Sequence, residues 1–359
     1  AQVERALLQL HLAESHGLTP FVFLGRRVFA PPDACETGEN QYFAPSRGDN
    51  VWEYYFEPVS SYRLGDAGRL LVADLGDARR HAIQELGDTV TSYFEFQRYD
   101  AKLHATRGRV RKVGAALVRR WVRVRPELRL RAHALLSTWR RQSTHLLGVH
   151  LRGTDKAAHP KIPLERFVRH VDAYLAAHAD ALVVLATDDA TYHAAFAQRY
   201  TSRLVSAGRG YATRNVVRDP KLPPAAKGDD AVVDALVLAH TDYLLKGTSS
   251  LSEFSIWYNP LLISAHLDLQ IAGDAAESEA YRATVPTWSG GPFVPAHPSA
   301  ETVDAMLRQL RAGTPVADTP PPAAAAASAR TPTPIQPSGR HVARVPEWPE
   351  QQEYPRPFR

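Results

Sequence analysis

The sequence predicts an α/β protein built on a parallel, doubly wound sheet, and three observations lead to this prediction. Short apolar runs at 146–149, 181–186 and 243–245 have the length of buried strands. Stretches with apolar residues at helical spacing lie between them, and strands that alternate with helices are typical of βαβ units. Polar and charged residues follow each run, as expected at the carboxyl edge of such a sheet.

The length and composition favour a globular protein with two domains. The chain has 359 residues, of which 44% are hydrophobic and 23% charged, with a formal net charge of +5. We divide it into an N-terminal α/β domain over 1–105, an arginine-rich helical linker over 106–145, a second α/β domain over 146–312 and a tail over 313–359. The tail is rich in proline and alanine and cannot bury enough apolar surface to fold, so we expect it to be disordered.

The first domain begins with a helix and a strand. Residues 2–12 carry apolar side chains at helical spacing, and Pro20–Leu24 reads as a short buried strand. An aromatic segment over 50–59 and a second candidate strand over 70–73 follow. These elements fit an α/β unit that ends near residue 105.

The region 107–141 is rich in arginine and predicts two helices separated at Pro126, because proline breaks a helix. Arginines between apolar positions suit a solvated helix pair that links two domains. A nucleic-acid-binding stripe is the alternative interpretation. The region lacks interleaved exposed aromatic residues and any known nucleic-acid-binding motif, so we expect no nucleic-acid partner.

The second domain alternates strands and helices. The predicted strands cover 146–149, 181–186, 204–205, 243–245 and 260–263. The predicted helices cover 164–178, 190–200, 229–240, 248–258 and 300–310. This alternation predicts that all strands are parallel.

The first candidate site follows the first strand of this domain. Arg152 can bind two oxygens of a diphosphate and offset charge on a departing one, and His150 points from the same strand face. An ion pair of Arg152 with Asp155 or Asp188 is the alternative. Asp155 and Lys156 form either a catalytic pair or a salt bridge within the loop, and Lys156 also suits a second phosphate cation.

Asp188 and Asp189 follow the second strand at the same edge of the sheet. Carboxylates beside a diphosphate can hold a divalent metal ion. Adjacent acidic residues directly before a helix also suit N-capping or a salt bridge, which we favour for this pair.

A third cluster begins inside the helix at 229–240. Asp234 lies there among apolar residues, and an unpaired buried carboxylate is costly. The N1 and N2 hydrogens of a guanine base would satisfy it. Thr248, Ser249 and Ser250 then open the next helix, where free backbone amides and hydroxyls form an anion site, although simple N-capping would use the same residues.

Missing motifs disfavour several function classes. The sequence has no Gly-x-Gly-x-x-Gly turn, Walker loop, His-Glu-x-x-His or Gly-x-Ser-x-Gly, which argues against dinucleotide dehydrogenases, P-loop enzymes, zincins and lipase-like hydrolases. Cys35 is the only cysteine, so an intramolecular disulfide and a cysteine-based metal site are both excluded. No apolar run approaches the roughly 20 residues that span a bilayer.

Three motifs stand in the order found in the fucosyltransferase superfamily of α1,6-fucosyltransferases, nodulation fucosyltransferases and protein O-fucosyltransferases. Residues 148–156 (GVHLRGTDK) resemble the first motif, 185–189 (LATDD) the second and 234–250 the third. Segments 55–60 and 124–126 resemble flanking segments of the α1,6 branch.

The resemblance implies a GT-B fold with two Rossmann-like domains, the second of which binds GDP-fucose. It implies an inverting glycosyltransferase that moves L-fucose from GDP-fucose to a hydroxyl of a glycan or glycoprotein, without a metal or other cofactor. Residence in the Golgi or secretory lumen follows from the resemblance alone. A membrane contact would require an N-terminal anchor before Ala1, where the family's glycine-rich loop is also expected.

The resemblance also implies roles for the matching residues. Arg152 would bind the diphosphate and Ser250 a phosphate, with Thr248 and Ser249 beside it. The guanosine part would contact His150 and Asp234. Lys156 would lie beside the reacting hydroxyl, and Asp188 and Asp189 would shape the site.

Two departures from the family pattern bear on catalysis. The α1,6 enzymes have a second arginine where this chain has Gly153, and a glutamate base where this chain has 157–160. His159 or Asp155 could replace that base, the acceptor could differ, or the protein does not catalyse. A non-catalytic GDP-sugar-binding or lectin-like protein is therefore the alternative function.

Overall fold

The computed structural model describes residues 2–26, 40–62, 101–153, 162–207, 221–263 and 265–269. Its strands are β1 (Leu146–Leu151), β2 (Leu182–Thr187), β3 (Leu204–Val205), β4 (Tyr243–Lys246) and β5 (His266–Asp268). Its α-helices are α1 (Gln2–Ser15), α2 (Trp52–Tyr55), α3 (Ala101–Trp121), α4 (Pro126–Gln142), α5 (Leu164–Ala177), α6 (Ala190–Tyr200), α7 (Pro224–Ala239) and α8 (Ser250–Tyr258). Short 3₁₀ turns cover Pro45–Arg47, Thr201–Arg203 and Pro260–Ile263.

The five strands form one parallel sheet in the order β3-β2-β1-β4-β5. The chain moves outward from β1 to β3, then crosses to the other side of β1 for β4 and β5. Such a reversal opens a crevice at the carboxyl ends of the two strands where the direction changes. The parallel, doubly wound sheet is thus confirmed, and its crevice lies between β1 and β4.

Both faces of the sheet are covered by helices. Leu147, Val149 and Leu151 of β1 pack in one apolar cluster with residues of α5 and α6. The opposite face packs against α7, and there Gly148 is required by close approach, because a Cβ at this position would lie 2.6 Å from Thr241 Oγ1. Helices on both faces explain why the strands are continuously apolar.

The arginine-rich region forms the predicted helix pair, α3 and α4. Pro126 occupies the first turn of α4, where its missing N–H costs no intrahelical hydrogen bond. The short link between the helices pairs with the aromatic segment: Phe56 and Val124 form an antiparallel bridge, and Arg125 N donates to Tyr55 O at 2.9 Å. The two flanking segments singled out in the sequence therefore lie side by side.

The described N-terminal residues share a core with the rest of the molecule. Buried side chains of α1 and α2 belong to the same apolar cluster as those of α4, α7 and α8. Residues 63–100 lie outside the described part, so the division into two domains at 105 stays a prediction. The same holds for the candidate strand at 70–73, the helix at 300–310 and the tail over 313–359.

Two predicted strands are wrong. Pro20–Leu24 is not in a strand, because Asn50 satisfies its backbone: Leu24 N donates to Asn50 Oδ1 at 3.0 Å and Asn50 Nδ2 donates to Val22 O at 2.9 Å. Residues 260–263 form a 3₁₀ turn in which Leu261 N donates to Asn259 Oδ1 at 3.2 Å, and the strand begins only at His266. In both places an asparagine competes for the backbone hydrogen bonds of an apolar run.

None of the described helices combines the length and apolarity required to cross a membrane.

Candidate anion-binding site

Arg152 connects the carboxyl ends of β1 and β4. It follows β1 directly, is half-buried, and its Nη1 donates to Ser249 Oγ at 3.3 Å. His150 lies two residues earlier on β1, is buried, and stands in register with Ala186 of β2 and Lys246 of β4. The structure therefore places both predicted residues at the crevice.

Ser249 directly precedes α8. It is the N-cap residue, with extended backbone, yet its side chain makes no capping hydrogen bond. Its hydroxyl oxygen instead accepts from Arg152. Backbone N–H groups in a first helical turn lack intrahelical acceptors and attract anions, and the guanidinium adds a full positive charge. The arrangement suits a phosphate or diphosphate.

The neighbouring hydroxyls bind carboxylates. Thr248 Oγ1 donates to Asp268 at 3.2 Å, beneath the crevice. Ser250 Oγ donates to Glu4 Oε2 at 2.9 Å. Of the three predicted hydroxyls, Ser249 contacts Arg152 and the other two are held by acidic side chains.

Glu4 was missed by the sequence analysis. It is buried, and it lies on the same face of α1 as Leu7 and Leu8. An acidic residue on an apolar helix face was the signal that could have identified it, because a buried carboxylate requires partners.

Asp188 and Asp189 order the end of β1 and the start of α6. Asp188 Oδ1 accepts from Gly153 N at 2.7 Å. Asp189 caps α6, since its Oδ1 accepts from Thr191 N at 2.8 Å. The predicted N-capping is confirmed for Asp189.

Gly153 is explained by the same pair. A Cβ at this position would collide with the carboxylate and Cβ of Asp189. Glycine is therefore required at position 153 by the close approach of the capping aspartate.

Asp234 lies on α7, and the charged groups that act on it are Asp230 and Arg131 rather than the residues at the strand ends. Its Oδ1 is buried and has no hydrogen-bond partner within the described ranges. The pKa of Asp234 is raised to about 8, mainly by burial and in addition by the charge of Asp230, against the opposing charge of Arg131. Arg131 Nη2 donates to Asp230 Oδ1 at 2.6 Å. Asp234 is thus a carboxyl group that still needs a donor.

A buried group of four charged residues lies under the turn between β4 and α8. Lys246 Nζ donates to Glu253 Oε1 and to Asp268 Oδ2, both at 2.8 Å. Arg111 of α3 reaches Glu253 with Nε at 3.0 Å and Nη2 at 2.8 Å. The sequence analysis missed this group, which we call the buried quartet. A lysine at a strand end is normally exposed to solvent, so the sequence around Lys246 did not indicate burial. The apolar residues around Glu253 in α8 were the one feature of the sequence that indicated a buried charge.

Three predicted catalytic residues, Asp155, Lys156 and His159, lie outside the described residues. Within the described part of the chain, no three histidine, cysteine or acidic side chains are grouped so as to hold a metal ion.

Comparison with known proteins finds no matching family model and no match among curated proteins. Among solved structures, the fucosyltransferase NodZ from Bradyrhizobium is 18% identical with a TM-score of 0.32, over 43% of this chain and 48% of that chain. NodZ α1,6-fucosyltransferase soaked with GDP-fucose is 18% identical and the form co-crystallised with GDP 19%, each with a TM-score of 0.32 over 43% of this chain and 47% of that chain.

The chain therefore spans about half the length of these structures. All three are fucosyltransferases, the superfamily that the three motifs resemble. A likeness of this size does not assign a function, which must come from the residues of the site.

Proposed function

We propose that the protein is an inverting glycosyltransferase that transfers L-fucose from GDP-fucose to a hydroxyl of a glycan or glycoprotein. One observation carries this proposal: in the crevice of a doubly wound sheet, Arg152 joins the end of β1 to Ser249, the N-cap residue of α8, whose side chain makes no capping hydrogen bond. Arg152 belongs to the first of the three motifs that resemble the fucosyltransferase superfamily, and Ser249 belongs to the third.

The diphosphate of the donor would bind between Arg152 and α8. A guanidinium can contact two phosphate oxygens and offset the charge that develops on departing GDP. The N–H groups of the first turn of α8 would contact the same phosphates, with Ser249 and Ser250 beside them. In this role the cations of the protein replace a metal ion, and we propose that transfer needs none.

The guanine base would satisfy Asp234. Its N1 and N2 hydrogens form a pair of donors that matches one carboxylate, so binding of the base would favour the ionised form of Asp234. The buried Oδ1 of Asp234 is without a hydrogen-bond donor in the described ranges, as expected of a group that completes its bonds with a ligand. His150, buried on β1, would contact the guanosine part.

Inverting transfer also requires a base that removes the proton of the acceptor hydroxyl. We assign this step to the residues that follow Gly153 in the sequence, with His159 or Asp155 as the base and Lys156 beside the reacting hydroxyl. Glu4 does not suit this role, because it contacts Ser250 on the phosphate side, whereas an inverting nucleophile attacks from the opposite side of the sugar.

A non-catalytic GDP-sugar-binding or lectin-like protein is the second candidate. It is favoured by the sequence at 157–160, where the glutamate base of the α1,6 enzymes is absent. Binding of GDP-fucose without GDP release, over a panel of glycan and glycoprotein acceptors, would support this candidate.

The substitution Arg152→Ala tests the proposal that the protein is an enzyme. We expect it to abolish GDP release from GDP-fucose while the circular dichroism spectrum and thermal unfolding remain those of the wild type. Arg199→Ala is the matched control, because Arg199 lies on α6, is largely exposed and pairs with Asp172. Retention of most activity by Arg152→Ala would contradict the assignment, and loss of turnover in EDTA would contradict metal-free transfer.

We also propose residence in the Golgi or secretory lumen. Imaging of the tagged full-length protein in its own cells tests this, and a cytosolic signal would contradict it.

A further inference from the structure

The buried quartet encloses the turn at 247–249 from both ends. Lys246 directly precedes the turn, and Glu253 lies one helical turn into α8. The ammonium of Lys246 joins the two by its bond to Glu253, and Asp268 ties the turn itself through Thr248. The turn that contains Ser249 is therefore held at Lys246 on one side, at Thr248 within the turn and at Glu253 on the other side.

The quartet is balanced in charge. Arg111 and Lys246 are positive, Glu253 and Asp268 are negative, and none of the four side chains is more than 7% exposed. Burial opposes ionisation of Glu253, yet the charges of Arg111 and Lys246 hold its pKa well below the usual value. The pairs remain charged in the interior, where breaking one pair would leave an uncompensated buried ion.

Lys246 does not serve as a phosphate cation. Its side chain is completely buried and its ammonium is held between two carboxylates. If the turn were displaced together with Lys246, the ammonium would lose its bonds to Glu253 and Asp268. Buried ion pairs that are fully hydrogen-bonded favour one arrangement over others, which is the property that a preorganised site requires.

We propose that the buried quartet sets the position of the β4–α8 turn and keeps the floor of the anion site neutral, so that Lys246 and Asp268 are positioning residues for the donor diphosphate. This inference rests on the proposed function, because it concerns the same site. It assigns Thr248 to the support of the turn, through Asp268, rather than to the ligand.

The test compares two variants with the wild type. Lys246→Met removes the ammonium that joins Glu253 to Asp268 and leaves one net negative charge in the buried quartet. The double variant Lys246→Met with Asp268→Asn also lacks this ammonium, but the remaining pair of Arg111 and Glu253 has no net charge. Lys112→Met is the matched control, because Lys112 is exposed on α3. Affinities for GDP and for guanosine are measured by calorimetry, and folding by circular dichroism.

We expect GDP to bind most tightly to the wild type, less tightly to the double variant and least tightly to Lys246→Met. The loss of affinity in Lys246→Met should be about tenfold or more. Guanosine affinity should stay within about threefold throughout, since the turn lies at the phosphates and not at the base. A purely structural role would weaken both ligands together, with the loss tracking the loss of stability.

Parallel loss of GDP and guanosine affinity, or a double variant that binds GDP no better than Lys246→Met, would overturn the inference. If Lys246→Met does not fold, the double variant is compared with the wild type. A ratio of GDP affinity to guanosine affinity below that of the wild type supports the inference, and an unchanged ratio overturns it. Failure of the wild type to bind either ligand would instead refute the proposed function, and the inference with it.

Discussion

Glu4 and Ser250 are joined by a hydrogen bond of 2.9 Å across 246 positions of sequence. This contact places a carboxylate of α1 at the positive end of α8, where the proposed diphosphate would lie. A bound phosphate and the Glu4 carboxylate therefore compete for the same hydroxyl and the same helix dipole.

Replacing Glu4 by glutamine should tighten GDP binding. The amide keeps the shape and the hydrogen bond to Ser250 but removes the like charge, so we expect an increase of about three- to tenfold in affinity, smaller at high salt. Calorimetric titration with GDP and with guanosine measures this, and guanosine should be unaffected. Glu14→Gln, in the last turn of the same helix, is the control, because Glu14 pairs with Arg120 and not with Ser250. Equal or weaker GDP binding by Glu4→Gln would contradict the prediction.

Gly153→Ala should destabilise the protein. The added Cβ collides with Asp189, and relief requires a shift of the strand end or of the α6 cap; overpacking of this kind costs about 1–3 kcal/mol. Chemical denaturation measures the change. Adding Asp189→Ser should recover much of it, because serine is smaller and also caps helices well. A double variant no more stable than Gly153→Ala would show that the collision with Asp189 is not the cause.

Asp234→Asn should change how stability depends on pH. Burial raises the pKa of Asp234 from 3.8 to about 8, so between these values the folded chain holds a proton that the unfolded chain releases. The contribution of Asp234 to stability is therefore greatest below 3.8 and is lost as the pH rises towards 8.

The asparagine cannot ionise, so the free energy of unfolding of Asp234→Asn relative to the wild type should increase through this window and then level off. Urea unfolding at a series of pH values measures the difference. A difference that does not vary with pH would refute the raised pKa.

His133 should contribute sensitivity to acid. Burial lowers its pKa to about 3, helped by the charges of His240 and Arg129, and its ring stands edge-on to His240 at 5.3 Å between centroids. Its contribution to stability is full above the unfolded value of 6.5 and is lost as the pH falls towards 3. His133→Phe should unfold at lower pH than the wild type in an acid titration followed by tryptophan fluorescence. Coincident acid transitions would count against this role.

The sequence was sufficient for the features that depend on local pattern. The alternation of strands and helices predicted the parallel sheet, Pro126 predicted the break between α3 and α4, and an acidic residue before a helix predicted the cap by Asp189. The position of Arg152 at the crevice was also predicted, because the carboxyl ends of the strands in a doubly wound sheet lie at one edge. Each of these signals lies within a few residues of the feature it predicts.

The features that were missed depend on distant residues. Lys246 is buried because Glu253 and Asp268 surround it, and α3 supplies Arg111 from more than a hundred positions earlier in the chain. No periodicity within β4 indicates those partners. In the same way, Asn50 removes Pro20–Leu24 from any sheet by binding its backbone from 26 positions away.

The order of the strands has a consequence for the folding of the chain. Arg152 and Ser249 are 97 positions apart, and they meet only after β4 has crossed over and paired with β1. Contacts of such sequence separation form slowly, because the entropy of closing a long loop is lost before the contact is gained. During synthesis, β1, β2 and β3 emerge before β4, so the contact between Arg152 and Ser249 cannot form until β4 has been made. Phosphate ligands would then stabilise only molecules in which the final crossover is complete.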